Sequence, residues 1–97
     1  MEQVIYANAI SGSLSVTISA DRTCNYTGKS ITFSADIFGK LTHSIWTFDD
    51  GTAETNKVQV THSWDSLGEF NVVLTAFNDT YPNGVSNSIS IQIISIR

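Results

Sequence analysis

The acidic side chains are the first candidates for chemistry in this sequence. Asp49 and Asp50 are adjacent and precede Gly51, and Asp79 follows Asn78. A carboxylate pair can carry out acid–base catalysis, and oxygen-bearing side chains of this kind bind calcium. The D-x-D-x-D-G spacing of an EF-hand is absent, however, and Asp-Asp-Gly is a common turn sequence whose carboxylates accept hydrogen bonds from backbone amides. We therefore predict no metal and no cofactor, and Asp49, Asp50 and Asp79 are the candidates if calcium does bind.

Thirteen Ser and two His residues raise a second possibility, a hydroxyl nucleophile activated by histidine. The G-x-S-x-G sequence of a nucleophile elbow is absent, and at this serine content some Ser–His proximity is expected by chance. No Cys/His cluster indicates zinc. We predict that His62 packs or forms hydrogen bonds between strands, that His43 is exposed, and that the chain has no catalytic residue and is not an enzyme.

Composition restricts the partners and the size of the molecule. The 97 residues have a net charge of −4, so there is no basic surface to attract nucleic acid or an anionic membrane. No run of apolar residues is long enough for a membrane-spanning helix, and the first residues lack the features of a signal peptide, which suggests a segment of a longer protein. The single Cys24 excludes an internal disulfide.

The elements that position these residues follow from a period-two alternation of apolar with hydroxyl-bearing residues. Alternation of this kind is typical of antiparallel sheets with one solvated face. The alternating segments are 13–20, 30–37, 44–48, 58–62, 70–77 and 88–93. Turn sequences separate them and no helical periodicity is present, so we predict a two-sheet antiparallel β-sandwich of about seven strands. This domain spans residues 13–97, and residues 1–12 are predicted to be a linker or the tail of a preceding module.

Four motifs of this sequence resemble those of the polycystic kidney disease (PKD) domain. The segment 46–52, WTFDDGT, resembles the W-D-F-G-D-G-T signature of that family; 62–64, HSW, falls where the family has H-x-Y; 68–78, GEFNVVLTAFN, is similar to its G-x-Y-x-V-x-L-x-A-x-N strand; and 28–35, GKSITFSA, is similar to its G-x-x-V-x-F-x-A strand. Thr47, Asp49, Trp64 and Phe70 depart from the usual Asp, Gly, Tyr and Tyr. The signature positions in this chain are Trp46, Phe48, Asp50, Gly51, His62, Trp64, Gly68, Phe70 and Asn78.

The resemblance implies an immunoglobulin-like sandwich that acts as an extracellular or cell-surface module, often in tandem repeats. The expected function is that of a non-catalytic spacer, adhesion or load-bearing domain of a larger protein. The alternative is an accessory domain beside a secreted hydrolase that presents aromatic rings to polysaccharide or collagen. Exposure of Trp64 distinguishes the two. We predict that Trp46 and Trp64 are buried, which leaves Tyr26 and Tyr81 as the freer aromatic residues.

The remaining expectations concern partners and modification. Neighbouring modules, other extracellular proteins and glycans are the expected partners, and the isolated domain is expected to be a monomer. Val73 and Phe77 face outward by strict alternation, and with Ile94 they are predicted to form a small contact patch. Two sequons, at Asn25 and Asn78, are possible glycosylation sites in a secreted glycoprotein, although their number is no more than chance predicts.

Overall fold

The computed structural model describes residues 12–95, which form strands and turns without a helix. None of these residues belongs to a helix that could span a membrane. The predicted linker of residues 1–12 therefore lies outside the described residues except for Gly12. The eight strands are β1 (Ser15–Ala20), β2 (Cys24–Tyr26), β3 (Ile31–Phe38), β4 (His43–Thr47), β5 (Ala53–Thr55), β6 (Gln59–His62), β7 (Gly68–Phe77) and β8 (Val85–Ile94).

The strands form two sheets that pack face to face. The three-stranded sheet has the order β1-β3-β6, and the five-stranded sheet has the order β2-β8-β7-β4-β5. Every pair is antiparallel except β2 with β8, which is parallel. The prediction of a two-sheet, all-β immunoglobulin-like sandwich is confirmed, with eight strands instead of about seven.

Two strands, β2 and β5, are not among the predicted alternating segments. Each has only three residues, which is too short for a period-two pattern to be recognised. The predicted break over residues 21–29 contains β2, and β5 directly follows the Asp-Asp-Gly turn. Both are edge strands of the five-stranded sheet, where short length limits pairing with other chains.

The core consists of the inward-facing residues that the alternation predicts. Trp46 and Phe33 are completely buried, and their rings contact each other at a centroid distance of 6.2 Å. Val58 is an exception, because the alternation places it on the same face as Val60 although it is 71% exposed. Here the chain crosses from one sheet to the other and the sheets no longer cover each other.

The chain crosses the sandwich lengthwise. Gly12 donates its N–H to Thr80 Oγ1, just beyond the end of β7, whereas Ile94 ends β8 close to Gly68, at the start of β7. We call these two ends of the sandwich the Gly12 end and the Gly68 end. The β7–β8 ladder of nine residue pairs separates them by about 27 Å.

Candidate functional site

The Asp-Asp-Gly segment forms the turn that connects β4 to β5. Asp50 Oδ1 accepts hydrogen bonds from the Thr52 N–H at 3.1 Å and from the Thr52 hydroxyl at 2.5 Å. Phe48 N–H donates to the Thr52 carbonyl at 3.3 Å, and Gly51 has a φ of +91°, a conformation that glycine adopts without strain. The carboxylate of Asp50 therefore stabilises the turn by accepting hydrogen bonds from Thr52.

The second oxygen of Asp50 connects this turn to the opposite sheet. His62, the last residue of β6, donates from Nε2 to Asp50 Oδ2 at 2.8 Å. The imidazole stacks on Phe48 at 4.1 Å and meets Trp64 edge-on at 4.7 Å. The predicted role of His62, packing and hydrogen bonding between strands, agrees with this geometry.

Hydrogen bonding determines the ionisation of Asp50. Burial by itself would raise the pKa of this carboxyl, but the hydrogen bonds from Thr52 and from His62, together with the charge of His62, hold the pKa below its usual value of 3.8. Asp50 therefore stays ionised to lower pH in the folded protein than in the unfolded chain.

Asp49 explains one departure from the family pattern. Its backbone has a φ of +65°, in the left-handed region where the family has glycine. Its Oδ2 accepts the N–H of Asn71 on β7 at 3.0 Å. Aspartate tolerates this conformation better than most residues, and the hydrogen bond to β7 offsets part of the strain.

Both tryptophans lie in the core. Trp46 is 0% exposed and donates from Nε1 to the Lys57 carbonyl at 2.8 Å, and Trp64 is 2% exposed and donates to the Phe48 carbonyl at 2.9 Å. The ring of Phe70 stacks on Trp64 at 5.3 Å. Neither indole presents a face to solvent, whereas Tyr26 and Tyr81 are 41% and 38% exposed and Phe38, which sequence reasoning did not single out, is 71% exposed.

Asn78 fastens the Gly12 end of the sandwich. Its side chain is 3% exposed. Nδ2 donates to the carbonyls of Gly12 and Lys40 at 3.2 and 2.9 Å, and Oδ1 accepts the N–H of Tyr81 at 2.9 Å. A glycan on this buried nitrogen would remove at least one of the two donated bonds, so Asn25, which is half-buried and donates one bond to the Ser30 carbonyl, is the more accessible sequon.

The three calcium candidates do not come together. Asp49 and Asp50 lie in the turn beside Asn71, near the Gly68 end, whereas Asp79 follows the end of β7. About 20 Å of strand separates Asn71 from Phe77. Within residues 12–95 no group of three or more His, Cys, Asp or Glu side chains is arranged to hold a metal ion.

The predicted outward patch is not continuous. Phe77 is half-buried and stacks on His43 at 4.3 Å with the rings almost parallel. Val73 lies opposite Ser88, six residues before Ile94 on β8, so about 20 Å of strand separates the two apolar side chains. Val73 and Phe77 share the outer face of the five-stranded sheet, and Ile94 lies at its far end.

Sequence reasoning did not identify a groove of about 530 Å³ at the Gly12 end, where the two sheets separate. Ala35, Ile37 and Leu41 line one side, and Ser44 lies on the opposing strand β4. Alternation places Ser44 on the inward face of β4, but it does not show whether a serine there lines a cavity. The exposed Val58 borders the same groove.

Taken together, the fold and the cluster around Asp50 define a small immunoglobulin-like β-sandwich in which a turn carboxylate, a histidine and two buried indoles connect the sheets. The sequence model of the PKD domain matches residues 14–90. The chain belongs to the PKD domain family.

Solved structures agree with this assignment. The chain is similar to the PKD domain of the human VPS10 domain-containing receptor SorCS2, with a TM-score of 0.66 and 18% identity over 89% of this chain and 76% of that one. It is also similar to a structure from work on the promiscuous specificity of carbohydrate-binding modules of the β-sandwich superfamily, with a TM-score of 0.77 and 17% identity over 88% of this chain. The chain spans 36% of the length of that second protein. No curated protein matches the sequence.

Proposed function

We propose that the chain is a non-catalytic spacer and load-bearing module of a larger extracellular or cell-surface protein. PKD domains typically occur in proteins of this kind. The observation that carries the proposal is the path of the chain, which enters at the Gly12 end and leaves at the Gly68 end. A module with this path adds its length to a tether.

The entering segment is anchored to the sandwich. Gly12 N–H donates to Thr80 Oγ1 at 2.8 Å, and its carbonyl accepts from Asn78 Nδ2 at 3.2 Å. Leu14, two residues further on, is buried in the core. A pulling force applied at this end therefore acts on a segment that is already held by both hydrogen bonds and packing.

The terminal strands lie along the direction of such a force. β1 begins at the Gly12 end and pairs with β3 over six residue pairs, and β2 pairs in parallel with β8 over three. Tension between Gly12 and Ser95 pulls β1 and β8 along their own axes and in opposite directions. The ladder hydrogen bonds are then loaded in shear, so that they resist together instead of breaking one at a time.

Burial of Trp64 and Trp46 favours this function over the aromatic ligand platform. Two further points support a non-catalytic role. The hydrogen-bonding capacity of Asp50 is directed at Thr52 and His62, and the Thr42 hydroxyl that lies 3.0 Å from His43 Nδ1 also donates to the Phe77 carbonyl. These groups stabilise turns and strand ends.

Single-molecule stretching of a tandem array tests the proposal. Pulling through the two chain termini should give discrete unfolding peaks. A matched control pulls between the N-terminus and a thiol introduced by Lys40→Cys in a Cys24→Ser background. Both attachment points then lie at the Gly12 end, so β1 is peeled from β3 and the unfolding force should be several-fold lower. Smooth extension without peaks, or equal forces in both geometries, would refute a load-bearing role.

The second candidate function is that of an accessory carbohydrate-binding or collagen-binding domain. The observation that favours carbohydrate binding is the groove at the Gly12 end, because the two tryptophans that an aromatic platform would use are buried. Collagen binding has no comparable feature in its support.

A further inference from the structure

The groove at the Gly12 end is an opening of the core between the two sheets. Ala35 and Ile37 point inward from β3 but are only partly buried, because the crossover at residues 56–58 does not cover them. Leu41 and Val58 complete an apolar wall, and Val58 is 71% exposed. A well-packed sandwich would close this space with larger side chains.

A buried hydroxyl lies on the opposite side of the groove. Ser44 is 3% exposed and points inward in the same series as Trp46 and Phe48. Its backbone pairs with Asn56, through Ser44 N–H to Asn56 Oδ1 at 3.0 Å and Asn56 N–H to the Ser44 carbonyl at 2.9 Å. Its hydroxyl has no hydrogen-bond partner among residues 12–95. Buried polar groups are nearly always paired, so this hydroxyl is available to a partner that is not among residues 12–95.

The rim of the groove carries donors and acceptors of both charges. Asp36 and Lys57 border it, and neither forms an ion pair with another described residue. Asn56 uses Oδ1 and its backbone N–H on Ser44, which leaves Nδ2 as a free donor. A ligand of either charge would be attracted by one of these groups and repelled by the other, so the rim favours neither charge. A neutral hydroxyl group can both donate and accept, so it suits either residue.

We propose that this groove binds one residue of a neutral saccharide. The C–H surface of the sugar ring lies against Ile37, Leu41 and Val58, and one hydroxyl reaches Ser44. The proposal goes beyond the spacer function and gives the second candidate function a site. It is independent of the stretching result, because no step in it depends on the direction of load.

The test is an NMR titration of the full ¹⁵N-labelled chain with cellobiose, maltose and N,N′-diacetylchitobiose. At least one should bind with a Kd of about 1 mM, which is what a dozen or so ligand atoms in a half-open groove support. Amide shifts should be confined to residues 35–37, 41–44 and 56–58. Glucuronate and glucosamine, the charged relatives of glucose, should bind no more tightly than the neutral sugars, because attraction by one side of the rim is offset by repulsion from the other.

Two variants locate the site. Ser44→Ala should weaken binding about fivefold and leave the fold intact, because it removes one hydrogen bond to the ligand and an otherwise unpaired hydroxyl. Ala35→Leu, which fills the groove, should abolish binding. The matched control Ser88→Ala lies on the outer face of the five-stranded sheet and should change neither property.

The proposal would be overturned by the absence of shifts at sugar concentrations of about 50 mM, far above the expected Kd. Shifts centred on the outer face of the five-stranded sheet, or tighter binding of glucuronate or glucosamine, would overturn it as well. Unchanged affinity in Ser44→Ala would show that the buried hydroxyl has no part in binding.

Discussion

Replacing Asp50 by alanine tests whether the turn carboxylate stabilises the sandwich. The change removes acceptors for the Thr52 N–H, the Thr52 hydroxyl and His62 Nε2. Each hydrogen bond to a charged group is worth about 1.5–3 kcal/mol when well buried, but partly exposed pairs contribute only about 0.2–1 kcal/mol. Because the Asp50 side chain is 26% exposed, we expect a total loss of about 2–3 kcal/mol. In a domain of this size that loss lowers the Tm by roughly 10–20 °C.

The pH dependence gives a second and sharper test. The pKa of Asp50 is lowered in the folded state, so its contribution is fully present above the unfolded pKa of about 3.9 and is lost as the pH falls through the folded value. The difference in unfolding free energy between the parent chain and Asp50→Asn should therefore still be present at about pH 5 and shrink below about pH 4. Urea unfolding followed by fluorescence of the two buried tryptophans measures it.

Asp65→Asn is the matched control, because Asp65 is exposed and makes no hydrogen bond with the other described residues. Equal stability of Asp50→Asn and Asp65→Asn at pH 7, or a difference that does not change on acidification, would refute the assigned role of Asp50. A Tm that rises steeply with calcium concentration in the parent chain and not in Asp50→Ala would replace the turn-holding role with a metal site.

Three further predictions concern the core, the entering segment and the outer face. Trp46→Ala should lower the unfolding free energy by about 3–5 kcal/mol and leave the domain marginal or unfolded, as measured by urea titration; a melting curve close to that of the parent would contradict the core assignment. Gly39→Ala should destabilise by about 1–3 kcal/mol more than Gly28→Ala, because both glycines have positive φ but only at Gly39 would a Cβ overlap the Ser13 carbonyl oxygen. The chain should sediment as a monomer at micromolar concentration, since Phe77 is stacked on His43; a dimer that is lost in Phe77→Ser would show the outer face to be an interface.

Alternation along single strands was enough to predict most of the fold. Alternation places Trp46 and Phe48 on one inward face, and the family pattern places Trp64 in the core. The structure buries all three. The two strands that were not predicted, β2 and β5, are too short to show a period-two alternation. β2 pairs with β8, which is distant in sequence, so that pairing is known only once the sheet is formed, whereas β5 forms a short hairpin with β4.

The candidate site was less predictable, because its contacts connect different sheets and loops. The turn role of Asp50 follows from Asp-Asp-Gly, but its bond to His62 depends on how the two sheets are placed. Calcium candidates chosen by residue type included Asp79, which the length of β7 separates from the other two. Ser44 gave no signal, since only the packing around a serine shows whether its hydroxyl is paired.

The two polar anchors of this domain lie at opposite ends of the sandwich. At the Gly68 end Asp50 and His62 join the sheets, and at the Gly12 end Asn78 joins the entering chain to the loops after β3 and β7. Cys24, the only cysteine, is exposed on β2 and forms no disulfide, so these side-chain bonds serve where other small domains use a covalent link. The groove beside Ser44 lies next to the Asn78 anchor, where the loops are already held and an opening between the sheets is least damaging to the fold.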